Sequence, residues 1–153
     1  MMRIVAAMQA RVLDAADPVD WILVFDEGEE VISALTGFAR DRGLRAGHFQ
    51  AIGGFFEATL GYFEWTTRNY LHIPVREQVE VVSMLGDIAM GRDGQVVHAH
   101  AVLGRRDGSA LAGHLLAGRI RPTLELILNS TPAALARTYD ERSGLALINV
   151  RSQ

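Results

Sequence analysis

Three of the chain's five histidines fall in one short segment: His98 and His100 in Val97-His98-Ala99-His100, and His114 in Gly113-His114-Leu115. Successive side chains of an extended strand point to opposite faces, so His98 and His100 project from the same one. Neutral imidazoles suit zinc, nickel or copper. Three of them on one face make a zinc-type site with an open fourth position, provided His114 can reach the other two. The sequence contains no cysteine, which excludes thiolate zinc sites, disulfides and cysteine nucleophiles together. No carboxylate in the segment completes the ligand set, because Asp107 belongs to the intervening turn and points away. The fourth position is left to water, a bound anion or a residue from elsewhere. The plainer reading makes His98 and His100 polar residues on a solvated strand face, with His114 packed against them.

What must position them is a hairpin. Arg105-Arg106-Asp107-Gly108 separates the two histidine stretches, and Asp-Gly between apolar runs is a strong hairpin signal. If the chain folds back there, residues whose numbers sum to about 214 or 215 face each other, which sets His114 beside His100. An open three-histidine zinc site lowers the pKa of a bound water, so metal-assisted hydrolysis is the reaction class open to it. Glu80 and Glu125 lie on apolar strands, where carboxylates are unusual. Either can stand behind the histidines and orient them. Pairing with an arginine such as Arg119 or Arg121 is the simpler expectation. Neither a Gly-x-Ser-x-Gly nor a His-Glu-x-x-His motif is present.

The surrounding elements read as follows. Residues 3–12 and Trp21 to Phe25 are strands, the second apolar enough to be buried on both faces. Gly28-Glu29-Glu30 opens one helix with acidic residues in its first turn. Val31, Ile32, Leu35, Phe38 and Ala39 recur at helical spacing, and Gly43 ends it. Strand periodicity then takes over: His48 to Ile52, a turn or close backbone approach at Gly53-Gly54, and a long strand from Phe56 to Glu64. Tyr70 to Val75 carries Pro74, which suits an edge. Val79 to Met90 is another long strand, bent at Gly86, and Asp93-Gly94 turns it into the histidine strand. Leu111 to Leu116, Thr123 to Leu128 and Leu145 to Val150 complete the strands, with a short helical turn from Thr131-Pro132 through Arg137. One helix followed by many antiparallel strands gives an α+β class.

The length of 153 residues suits one domain, 1–153, able to bury a core without staples. The N-terminal stretch Met1 to Arg11 is interrupted by Gln9 and Arg11, and no apolar run approaches a membrane span, so a cytoplasmic protein is expected. A formal net charge of −3 disfavours a domain that grips nucleic acid by its phosphates.

In this order and spacing, the chain resembles the plant and prokaryote conserved (PPC) domain in its stand-alone prokaryotic form. The matching pieces are Gly28-Glu29-Glu30, Ala51-Ile52-Gly53-Gly54, Leu60-Gly61-Tyr62-Phe63, Glu80 to Gly86, His98-Ala99-His100, Gly113-His114-Leu115 and Thr123-Leu124-Glu125. The resemblance implies a long antiparallel sheet flanked by the helix, assembly as a homotrimer, and a zinc ion on His98, His100 and His114. Plant relatives join the domain to AT-hook segments that contact DNA, so a DNA-associated or regulatory interaction module is the alternative function. Gly118-Arg119-Ile120-Arg121-Pro122 superficially resembles such a hook, but Ile120 breaks the pattern and the segment is expected between two strands.

The remaining candidates are weaker. Tyr62, Tyr70 and Trp65 can form a stacking surface, or equally a core or interface stripe. His48 and His72 stand alone and receive no role. Arg105, Arg106, Arg119 and Arg121 gather near one hairpin end, a solvated tip that trimerisation would triplicate into a basic patch. Gly53-Gly54 is no phosphate loop, since the chain has no lysine. Unpaired edges of long strands invite closed symmetric assembly, which independently points to an oligomer.

Overall fold

The computed structural model describes residues 8–14 and 19–150. The elements in chain order are β1 (Gln9–Asp14), β2 (Val19–Phe25), α1 (Val31–Asp41), β3 (Ala46–Glu64), β4 (Asn69–Val75), β5 (Val79–Gly91), β6 (Gly94–Gly104), β7 (Ala110–Ser130), β8 (Arg137–Asp140) and β9 (Leu145–Ile148). The first part of the strand expected at 3–12 lies outside the described residues, and its ladder with β2 starts at Gln9. Every ladder is antiparallel, so strand dominates and α1 is the one helix among the described residues.

The two longest strands carry the architecture. β3 and β7 pair from Gly47 opposite Ser130 to Gly61 opposite His114. β5 lies on the other flank of β3 and β6 on the other flank of β7, and β5 and β6 pair with each other. The ring β3-β5-β6-β7 therefore closes on itself, while β1-β2 extend from β7 and β4 from β3. Pro74 sits on β4, the expected edge. Alternation along the ring puts Phe49, Ala51, Met84, Ile88, Ala99, Ala101, Leu103, Leu115, Leu124, Leu126 and Leu128 into one apolar cluster.

Helix α1 adds Val31, Leu35, Phe38 and Ala39 to that cluster and packs on β6 and β7. Its acidic opening takes a different form from the expected charged first turn. Glu30 is the N-cap, its carboxylate accepting from the backbone N–H groups of Ile32 at 3.2 Å and Ser33 at 2.8 Å. One of those oxygens also accepts from Gly118 N at 3.1 Å, which ties the helix start to β7.

Further expectations are corrected or narrowed. β2 is buried on one face only, with Leu23 and Phe25 inward and Ile22 and Val24 half-exposed. Of the turn or close backbone approach expected at Gly53-Gly54, the chain makes the close approach, inside a continuous β3: a Cβ on Gly53 would meet Thr123 O at 2.3 Å. The two strands expected at 111–116 and 123–128 are one, β7. Its Pro122 falls where pairing with β3 is interrupted between Ile120 and Leu124, so no ladder hydrogen bond is lost. No helical turn forms from Thr131 to Arg137. Instead Met90 N donates to Leu135 O at 2.7 Å, Met90 bridges Ala136, and the chain enters the β8-β9 hairpin. The last strand ends at Ile148, short of Val150.

Candidate metal centre

On β6, Ala99, Ala101 and Leu103 point inward, which turns His98 and His100 outward. The β6-β7 turn is built as the Asp-Gly signal requires. Arg105 N donates to Ser109 O at 2.8 Å, Gly108 adopts φ +83°, and Asp107 accepts from the Ser109 backbone N–H at 2.9 Å and hydroxyl at 2.6 Å. The carboxylate of Asp107 is thus committed to the turn, away from the histidines. The resulting register puts His114 directly opposite His100.

The three rings form a near-equilateral triangle, with centroids 5.1 Å apart for His98–His100, 5.0 Å for His98–His114 and 5.3 Å for His100–His114. One nitrogen from each lies within 4.8 Å of the others, so the group could hold a metal ion. The Nε2 atoms of His98 and His100 approach to 3.2 Å. His114 Nδ1 is buried without a hydrogen-bond partner, the kind of orphaned atom that a metal or an ordered water satisfies.

The surroundings of His100 and His114 favour the neutral ring, the form that binds a cation. Burial, reinforced by the charges of His98, His100 and Arg137, pushes His114 down to about 4 from an ordinary 6.5. Burial and the neighbouring His98 also lower His100. Tyr70, from edge strand β4, stacks on the His114 ring at 4.6 Å and shields that side. Burial pushes the Tyr70 hydroxyl up, against the lowering charge of Arg137.

Two residues that the sequence did not single out complete the surroundings. Asp87 on β5 stands opposite His98, with Oδ2 3.5 Å from His98 Nδ1. Arg137 on β8 places Nη2 2.6 Å from Asp87 Oδ1. Burial of Asp87 pushes its carboxyl up, but the bonds from His98 and Arg137 outweigh that and hold it below the ordinary value. A carboxylate behind a histidine fixes the tautomer that presents the other ring nitrogen to a metal. Asp87 could have been found by continuing the hairpin register through the Asp93-Gly94 turn, whereas Arg137 left no signal.

The other candidates are placed elsewhere. Glu80 is exposed opposite Gly104, at the far end of the β5-β6 ladder from His98, and Glu125 is exposed beside Ile52 and Val82. Neither stands behind the histidines, and the arginines expected to pair with them pair with others. Arg119 faces Glu57 at 3.6 Å, and Arg121 faces Glu27 at 2.6 Å. These two arginines lie within β7, so the hook-like segment is part of a strand and only Arg105 and Arg106 occupy the hairpin tip. Tyr62 and Trp65 are exposed while Tyr70 turns to His114, so the three make no common stacking surface. His48 and His72 are exposed and outside the triad.

Comparison with known proteins gives a consistent result. The family model of the Plants and Prokaryotes Conserved (PCC) domain matches residues 18–132. A "putative dna binding protein" from Bacteroides thetaiotaomicron is 28% identical, with 93% of this chain and 98% of that one covered at a TM-score of 0.85. A plant- and prokaryote-conserved (PPC) protein from Pyrococcus horikoshii is 25% identical, covering 92% and 94% at a TM-score of 0.81. A metal-containing protein from Archaeoglobus fulgidus is 26% identical, covering 94% and 99% at a TM-score of 0.79. No curated protein matches the chain.

Proposed function

The chain belongs to the Plants and Prokaryotes Conserved (PCC) domain family, and on that premise we propose that it is a homotrimeric, cytoplasmic metal-binding protein holding zinc on His98, His100 and His114. The observation that carries this reading is the triangle of three imidazoles on one sheet face, with a carboxylate behind His98. The related protein from Archaeoglobus fulgidus is described as metal-containing, which supports the same assignment. Among the described residues no helix is long and apolar enough to cross a membrane.

His98, His100 and His114 supply the donor nitrogens, Asp87 orients His98, and Tyr70 covers the His114 ring. A zinc ion bound there would offer a Lewis-acid centre with a fourth position for water or a small anion, the layout for metal-assisted hydrolysis. With no further general base named by the geometry, the proposal stops at metal and small-ligand binding. Metal analysis of protein purified without a histidine tag is the test. One zinc per chain is expected, lost in His98→Ala and in His114→Ala. A wild-type protein that takes up no zinc rejects the site.

The second reading, a DNA-associated module, draws on the relatives described as "putative" DNA-binding proteins and on the exposed Arg105-Arg106 tip. Against it stand the net charge of −3 and the pairing of Arg105 with Glu77 at 2.9 Å. Duplex binding that weakens with salt and vanishes in Arg105→Ala/Arg106→Ala, irrespective of metal, would favour this reading over the first.

A further inference from the structure

Among the residues around the triad, Arg137 has the longest reach in the fold. It starts strand β8 of a hairpin that forms its own two-stranded sheet, separate from the main sheet. Its side chain is only 8% exposed. Burying a guanidinium is unfavourable unless its donors are matched, and an apolar side chain would dock a hairpin without that cost. Here the two Nη groups are matched in different directions, while Nε is buried without a partner. Nη2 meets Asp87 Oδ1 at 2.6 Å, and Nη1 donates to Ala146 O on β9 at 3.1 Å. The other oxygen of Asp87 faces His98 Nδ1. A continuous polar chain therefore runs from the β9 backbone through Arg137 and Asp87 to a ring of the triad. The base of the hairpin is closed by Asn149 N to Ala136 O at 2.9 Å, and the segment leading into it is fastened to β5 through Met90 N to Leu135 O at 2.7 Å.

We propose that Arg137 is a positioning residue of the metal centre, delivered by the β8-β9 hairpin, which fixes Asp87 and through it the ring of His98, so that hairpin docking and metal binding are coupled. The inference rests on the reading of the triad as a metal site. Asp87 has one oxygen for Arg137 and one for His98, and without Arg137 it is free to rotate away from Nδ1. Arginine suits the task because its rigid fork addresses the carboxylate and the Ala146 carbonyl at once, whereas a lysine ammonium is a single point of attachment. Coupling is reciprocal: a metal that favours the oriented His98 must also favour the docked hairpin.

The test is zinc affinity of the untagged full-length chain, by competition with a chelating dye, in a double-mutant cycle. Asp87→Ala is expected to weaken binding by about 10–100-fold and Arg137→Ala by about 10-fold. The double variant should be no weaker than Asp87→Ala alone, because Arg137 acts through Asp87. Arg137→Lys, which keeps a buried cation and spares the fold, should lie between wild type and Arg137→Ala. Amide hydrogen exchange across residues 137–148 should slow on adding zinc to wild type and not to Arg137→Ala. An Arg137→Ala chain that binds zinc like wild type, or a double variant weakened by the product of the single effects, overturns the inference and leaves the metal site standing. If wild type itself binds no zinc, the metal reading falls first and this inference with it.

Discussion

An imidazole offers its lone pair to a metal only when it is not carrying a proton there, so surroundings that disfavour the charged ring also prepare it for a cation. His114 is the clearest instance. Burial comes first among the causes that lower it to about 4, and the neighbouring positive groups add to the effect. A consequence follows for the metal-free protein. Between pH 6.5 and about 4 the unfolded chain holds a proton on His114 that the folded chain does not. Stability is therefore full above 6.5, declines as the pH falls through that window, and loses nothing more from this residue below it. Urea midpoints measured down the window, with zinc chelated, should fall in wild type and fall less steeply in His114→Gln. Equal slopes in the two proteins would remove His114 as the cause. The stacked Tyr70 contributes to that burial, so Tyr70→Ala should move the His114 titration upward when followed by NMR.

The site also depends on how closely β5 and β6 approach. Gly86 sits beside the Asp87–His98 rung, and a Cβ there would meet His98 O at 2.3 Å and the Phe49 ring at 2.3 Å. Neither a backbone carbonyl nor a packed ring yields cheaply, so Gly86→Ala should cost about 1–3 kcal/mol by overpacking. It should also weaken zinc binding, because the strand that moves carries Asp87, the partner of His98. Thermal unfolding and zinc competition check the two effects together, and a variant with unchanged stability would remove the close approach as the reason for glycine. The Asp107-Gly108 hairpin and the helix were legible in the sequence, because their signals are local. The lengths of β3 and β7 were not. Gly53-Gly54 and Pro122 punctuate a sequence as breaks, yet bulges absorb both within continuous strands. Arg137 was beyond reach for another reason: its contact with Asp87 spans 50 residues and arrives from a segment whose Thr-Pro start reads as helical. The three histidines were brought together on paper by periodicity, and what surrounds them came from tertiary packing.

At the scale of the molecule, closure of the β3-β5-β6-β7 ring removes the free edges from those four strands, leaving β1 and β4 at the margins. Edge protection is thus a weaker reason for assembly than the strand count implied. The outward face supplies a stronger one. Ile52, Val82 and Leu85 are 61%, 57% and 57% exposed, and with Ile22 and Ile127 they line a shallow groove of about 370 Å³. An exposed apolar concentration of this kind is suited to a contact surface. The proposed trimer would cover it with a second copy, and the family resemblance is what selects three subunits. Leu85 pairs with His100 across β5 and β6, so such an interface would run up to the histidine triad. Light scattering of the wild-type chain at micromolar concentration should give the mass of three 16.8 kDa chains. Val82→Asp/Leu85→Asp places two carboxylates on the face without disturbing the inward residues, and should give a folded monomer. That monomer should still take up zinc if each chain owns its three ligands, and should lose it if the neighbouring copy closes the site. A wild-type monomer would reject the trimer, and a trimer undisturbed by both carboxylates would move the interface to another face.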